Sequence, residues 1–114
     1  MPYFEKFCTD YGFSYRIVDS VTENSVSEKA AYLVIRHSDL VDIIQIFRKK
    51  GFTLGQHAGI VIYNDEPFFE IIDNGITAIS TDFRQIGALA AEYILTRKKI
   101  QTYVPTRLIV RGSL

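Results

Sequence analysis

The chain alternates between stretches whose apolar residues recur at helical spacing and short runs that are apolar throughout. Residues 3 to 11 place Tyr3, Phe4, Phe7, Cys8 and Tyr11 on one side of a short helix that Gly12 stops, and Phe13 to Val18 then predicts a strand. Asp19 to Lys29 is polar and rich in turn formers, which predicts a loop with at most one helical turn. Ala31 to Ile35 predicts the next strand. After the polar turn Arg36-His37, Ser38 is expected to cap a helix whose Leu40, Val41, Ile43, Ile44 and Phe47 share a face, and Gly51 ends it.

Ala58 to Tyr63 is a run without alternation, the pattern of a strand buried on both faces of a parallel sheet. Asn64-Asp65-Glu66-Pro67 breaks it and starts a short helix carrying Phe68, Phe69, Ile71 and Ile72, which Asn74-Gly75 terminates. Ile76 to Ser80 predicts a strand. Asp82, with Gln85 three residues on, is expected to cap a helix to about Arg97 whose Phe83, Ile86, Gly87, Ala90, Ala91 and Ile94 form one stripe. Thr102-Tyr103-Val104-Pro105 leads to a last strand from Arg107 to Val110. Strands separated by helices predict an α/β fold, a three-layer, mostly parallel sheet with flanking helices.

With 114 residues the chain is one domain or less, and 47% hydrophobic against 23% charged residues is enough apolar material for a core. Thirteen basic and thirteen acidic residues cancel, so the chain lacks the basic footprint that attracts phosphate, and any contact with DNA must be made by another part of the protein. The single cysteine, Cys8, cannot form an intramolecular disulfide, and no Cys/His cluster has zinc spacing. No apolar stretch approaches the roughly 20 residues a bilayer needs. The start, Met1 to Lys6, is unlike a secretory signal. A reducing, cytoplasmic setting is expected, with no cofactor, no metal and no membrane partner.

Motifs for nucleotide phosphates, serine nucleophiles and zinc hydrolysis are missing, so an enzyme is not expected. Cys8 with His37 or His57 has the elements of a nucleophile and base, but Cys8 lies on the apolar stripe of the first helix and reads as a core residue. His57, in the turn Gly55-Gln56-His57, is expected to be solvated. Arg48-Lys49-Lys50 and Arg97-Lys98-Lys99 read as last-turn cations that oppose helix dipoles, with phosphate patches as the alternative.

In open parallel sheets ligands bind beyond the carboxyl ends of the strands. That rule singles out Arg36-His37, Asn64-Asp65 and Thr81-Asp82, each between a strand and a helix. Capping accounts for Ser38, Asp65 and Asp82, each worth roughly 1 kcal/mol. It leaves Arg36, Asn64 and Thr81 to face a cleft. Arg36 offers a fork of donors suited to a carboxylate, phosphate or vicinal hydroxyls, and Asn64 offers both a donor and an acceptor.

From about Ala31 to Leu114 these pieces, in this order, resemble the carboxyl-terminal part of the lactose/galactose repressor (LacI/GalR) family, whose effector domain shares the fold of periplasmic sugar-binding proteins. The family's strand followed by Asn-Asp and a helix is matched by Leu33-Val34-Ile35-Arg36-His37, and its Gly-hydrophobe-x-x-Gly turn by Gly51 to Gly55. Its Val-x-Gly-Phe/Tyr-Asp-Asp is matched by Val61 to Asp65, its Leu-Thr-Thr strand and Gly-x-x-Ala helix by Ile76 to Ala90, and its closing Pro-x-x-Leu-hydrophobe-x-Arg-x-Ser by Pro105 to Ser113.

The resemblance implies a type I periplasmic-binding-protein-like lobe in which the sugar-contacting Asn falls on Arg36, the contacting Asp on Asn64, and the polar residue leaving the crossing strand on Thr81. Losing the Asn and the Asp argues against a simple neutral sugar, and Arg36 points to an anionic effector such as a sugar acid or sugar phosphate. The short loop between Val18 and Ala31 is similar to that of sensors fused to a winged-helix head of the gluconate-repressor (GntR) type.

It further implies that residues 1–114 are mainly the carboxyl-terminal lobe, with the amino-terminal lobe and the DNA-binding domain absent. The helix from Asp82 would pack on that other lobe; without it the stripe needs another partner, and a homodimer is expected. The function so implied is a ligand-sensing fragment of a transcriptional repressor, whose effector closes two lobes and repositions a DNA-binding head. The alternative is the solute-binding protein of a sugar transporter.

Overall fold

The structure, a computed structural model, describes residues 2–98 and 104–114. Helix α1 spans Pro2–Tyr11, strand β1 Ala31–Val34, helix α2 His37–Lys50, strand β2 Gly59–Tyr63, strand β3 Thr77–Thr81, helix α3 Phe83–Thr96 and strand β4 Thr106–Ile109. Two 3-10 turns, Glu23–Ser25 and Pro67–Glu70, lie in the connections. The four strands form one sheet in the order β1-β2-β3-β4, parallel from β1 to β3 and antiparallel between β3 and β4. The expected α/β class and mostly parallel sheet are what the chain forms. The link Thr102-Tyr103 and the cation Lys99 lie outside the described residues.

α2 builds the core because Leu40, Ile43, Ile44 and Phe47 recur at three- and four-residue spacing and all are buried. Its face meets the alternate residues of the sheet: Val34 on β1, Ile60 and Ile62 on β2, and Ala78 on β3. Phe69, from the 67–70 turn, closes the same cluster. Burying one such side chain contributes about 1.5–3 kcal/mol, so this one face accounts for most of the hydrophobic stabilisation. β2 does not bury both faces. Val61 is partly exposed and Tyr63 exposed, with Leu33 and Leu108 exposed beside them, because α2 covers only one side of a run that is apolar enough for two.

Phe13 to Val18 forms no strand. A strand exists only through a partner's hydrogen bonds; β1 pairs on one side with β2, and none of the described ladders includes residues 13–18. Their aromatic residues turn back on α1 instead, with Phe4 edge-on to Tyr15 and Phe7 stacked on Phe13. Cys8 is buried there, outside the main cluster, and the rest of the α1 stripe is largely exposed. α3 buries none of its residues. With α1 and α3 so loosely engaged, the radius of gyration is 17.1 Å, against about 13 Å for a compact domain of 100 residues.

Candidate functional site

Parallel order brings the carboxyl ends of β1, β2 and β3 to one edge of the sheet, so the three loops predicted to bind leave from neighbouring strands. Arg36 follows β1 and precedes α2. It, not Ser38, occupies the N-cap: its backbone is extended, and its carbonyl accepts from the amides of Asp39 and Leu40. The helix starts two residues earlier than expected because that carbonyl already supplies the first intrahelical acceptor. The Arg36 side chain is exposed, donating Nε to Asp39 Oδ2 at 2.9 Å and a terminal nitrogen to the Asp19 carbonyl at 2.5 Å. Two of its five N–H groups are thus engaged, and its charge is partly offset.

Asn64 follows β2 with φ of 71°, a left-handed conformation that Asn tolerates better than most residues. Its amide donates to the Ile79 carbonyl on β3 at 2.9 Å, which pins the exit of β2 to the neighbouring strand. Thr81 ends β3, half-buried, beside Thr106 of β4. Asp82 then caps α3, its Oδ1 accepting from the Gln85 amide at 3.0 Å. His37 and Phe69 lie between the first two loops, ring edge to ring face at 5.1 Å.

Asp65 has a different role from the capping one expected. The turn after it starts at Pro67 with Glu66 as N-cap and is a single 3-10 turn, shorter than the helix expected through Ile72. Pro67 sets where the turn can begin, and Asp65, one residue outside it, is drawn to Arg111: Nη1 donates to Oδ1 at 2.8 Å and Nη2 to Oδ2 at 2.9 Å. These hydrogen bonds, more than the charge of Arg111, hold the Asp65 carboxyl below its ordinary range, against the upward pull of burial. The same pairing raises Arg111 above its ordinary value. Asp65 and Arg111 are 46 residues apart, so local spacing could not reveal the pair. The one available signal was an arginine just past the last strand with no acidic neighbour to serve.

Two other polar groups also differ from expectation. His57 is half-buried, because its Nδ1 accepts from the Thr53 amide at 2.7 Å and its ring stacks on Phe52. Arg48, Lys49 and Lys50 do lie in the last turn of α2, where they bind Asp73, Glu23 and the Glu23 and Val26 carbonyls. Arg97 and Lys98 fall just beyond α3, which ends at Thr96 because Arg97 adopts φ of 59°.

The array at the strand ends is a set of hydrogen-bond donors and acceptors: a guanidinium, an amide and a hydroxyl. It forms one wall. The two grooves described, about 460 Å³ between the Val21–Glu23 loop and α2 and about 300 Å³ around Phe52 and Asp73, include none of Arg36, Asn64 and Thr81. Among the described residues no group of three His, Cys, Asp or Glu side chains could hold a metal ion, and no helix is long and apolar enough to cross a membrane.

Comparison with known proteins gives this geometry a context. The family model of the periplasmic binding protein-like domain matches residues 3–114. A search of curated proteins gives no match. Among solved structures, a probable maltose operon transcriptional repressor from Staphylococcus aureus superposes with a TM-score of 0.79 at 17% identity, over 96% of this chain and 46% of that one. A LacI regulator from Lactobacillus casei, with bound Tris, gives 0.73 at 13% over 99% and 48%. A LacI-family transcriptional regulator from Enterococcus faecium, with bound ribose, gives 0.60 at 17% over 74% and 34%. The chain thus spans between about a third and about half of these proteins' length.

Proposed function

We propose an effector-sensing role on a plain premise: the chain belongs to the periplasmic binding protein-like domain family. In this reading it is the ligand-sensing part, mainly the carboxyl-terminal lobe, of a bacterial transcriptional repressor of the LacI type, binds a small carbohydrate-like molecule, and is not an enzyme. The observation that carries the reading is the common edge at which β1, β2 and β3 present Arg36, Asn64 and Thr81. Polyhydroxylated ligands need such mixed donors and acceptors. Arg36, a cation where the ligand would meet β1, favours a sugar acid or sugar phosphate over a neutral sugar. The regulators among the similar structures favour a repressor over a transporter's binding protein, one of them holding ribose.

An open sheet edge of this kind holds a small ligand only when a second surface closes over it. The coupling we propose is therefore closure of two lobes, with the ligand favouring the closed state and a DNA-binding head, outside these 114 residues, reading the change. A winged-helix head of the gluconate-repressor type, a homodimer and a cytoplasmic setting complete the proposal. The exposed stripe of α3 supports a covering partner: the second lobe in the intact protein, or a second copy where these 114 residues stand alone.

Calorimetric titration of the intact protein with D-ribose, maltose, D-gluconate and ribose 5-phosphate tests the reading. At least one anionic member is expected to bind, and Arg36→Ala to weaken it at least about tenfold while leaving neutral sugars little affected. Binding by none of the four, or anion binding indifferent to Arg36, overturns it.

A further inference from the structure

We infer that Arg111 is a positioning residue for Asn64, holding the exit of β2 in the backbone geometry from which the Asn64 side chain is presented. Asn64 is the residue at which the chain leaves β2, and its left-handed backbone is one an unrestrained loop would give up easily. Its own tether to the sheet is a single hydrogen bond, to the Ile79 carbonyl. The next residue, Asp65, is gripped through both carboxylate oxygens by Arg111. Two parallel bonds fix an orientation as well as a distance, and only two side-chain bonds separate the carboxylate from the Asp65 backbone, so turning the peptide between Asn64 and Asp65 works against the fork.

Arg111 is itself fixed at the start of β3. Its Nη1 also donates to the Ile76 carbonyl at 2.8 Å, its backbone amide donates to Thr77 Oγ1 at 2.9 Å, and Thr77 Oγ1 donates back to the Arg111 carbonyl at 3.2 Å. Thr77 is fully buried and the side chains of Arg111 and Asp65 are 11% and 19% exposed, so water competes little for these bonds. The chain end after β4 therefore ties the loop after β2 to the strand beside it. A lysine keeps the charge but offers a point contact in place of a planar fork.

The inference deepens the sensing role, since Asn64 matters there as a ligand contact, but its test needs no ligand and is independent of which effector binds. Amide hydrogen exchange of the 114-residue chain, read by NMR, compares Asn64 with Ile62 in the middle of β2. In Arg111→Lys, and separately in Asp65→Asn, the Asn64 amide is expected to exchange at least about tenfold faster while Ile62 stays within about twofold. Ile62 serves as the internal gauge of global stability in each sample. Equal acceleration of both amides in either variant, or no change at Asn64, overturns the inference.

Discussion

Gly55 and Gly112 meet backbone to backbone: a β-carbon on Gly55 would stand 2.1 Å from the Gly112 carbonyl oxygen. Gly55 also has φ of 84°, and its amide donates to the Ala58 carbonyl at 2.8 Å within the turn that leads into β2. Only a residue without a side chain lets this turn and the chain end lie together.

Gly55→Ala should therefore cost more than Gly51→Ala. Gly51 shares the left-handed backbone at the end of α2, with φ of 74°, but nothing lies within 4 Å of its missing β-carbon. The Gly51 change is expected to cost about 1 kcal/mol, the ordinary penalty of a side chain in that conformation. Gly55→Ala should cost at least twice that, because backbone must also move. Urea unfolding followed by circular dichroism measures both; equal midpoints would mean the contact yields without strain.

Ser113 is the second anchor of the same chain end. Fully buried, its Oγ donates to the Ile60 carbonyl at 2.7 Å and accepts from the Thr77 amide at 2.8 Å, while its carbonyl accepts from the Ile60 amide. Ser113→Ala removes the hydroxyl and leaves a buried donor and acceptor without partners. A loss of about 2 kcal/mol is expected, with the denaturant slope unchanged. Ser113→Thr adds one methyl group to a closed site and should recover only part of it.

How far such features could be read from the chain depends on their range. The face of α2 was legible except at Val41, which is exposed at its margin, because Leu40, Ile43, Ile44 and Phe47 obey a period the helix itself imposes. The sheet strands were legible within a residue or two, and so were the positions of Asn64 and Thr81, since a strand in a parallel sheet must end in a turn. Phe13 to Val18 was misread because being a strand depends on a neighbour as well as on composition. The engagement of Arg36 with Asp19, 17 residues away, and of Arg111 with Asp65 arises only when the fold is closed. Charged and small polar residues such as Ser113 carry no periodic signal, so their roles wait on the three-dimensional contacts.

Acid should expose the Asp65–Arg111 pair in a defined direction. Arg111 holds the folded Asp65 carboxyl below the ordinary value of 3.8. A depressed folded value means the stabilisation is fully present above the ordinary carboxylate range and is lost as pH falls through the lower, folded value. The difference in melting temperature between the native chain and Asp65→Asn should therefore be constant near neutral pH and shrink only at pH below about 4. Calorimetry over that range checks it; a difference that vanishes between pH 6 and 5 would implicate another group.

Salt separates that pair from a second carboxylate with the same sign of shift. Lys49 lowers the Glu23 carboxyl mainly by its hydrogen bond, but the pair is exposed, at 70% and 56%. Exposed pairs contribute little to stability and are screened by ions. Raising salt to about 1 M should abolish any effect of Glu23→Gln on stability while leaving that of Asp65→Asn largely intact, as melting curves at two salt concentrations would show.

The exposed stripe of α3 leads to the prediction about assembly. Phe83, Ile86 and Ile94 are 62%, 41% and 66% exposed, and the total accessible surface is 8457 Å². A compact monomer of this mass exposes about 6,300 Å². The surplus of about 2,000 Å² is more than the roughly 800 Å² per partner that a standard interface buries, and much of it is apolar. At micromolar concentration the chain is accordingly expected to have twice the 13.0 kDa of one copy by light scattering. Ile86→Lys combined with Ile94→Lys alters residues that make little contact within one copy, so each copy should fold with little change in helicity, while the charges should convert the dimer to monomer. A native chain that stays monomeric at high micromolar concentration, or a double variant that remains dimeric, would mean that α3 is not the dimer's seam.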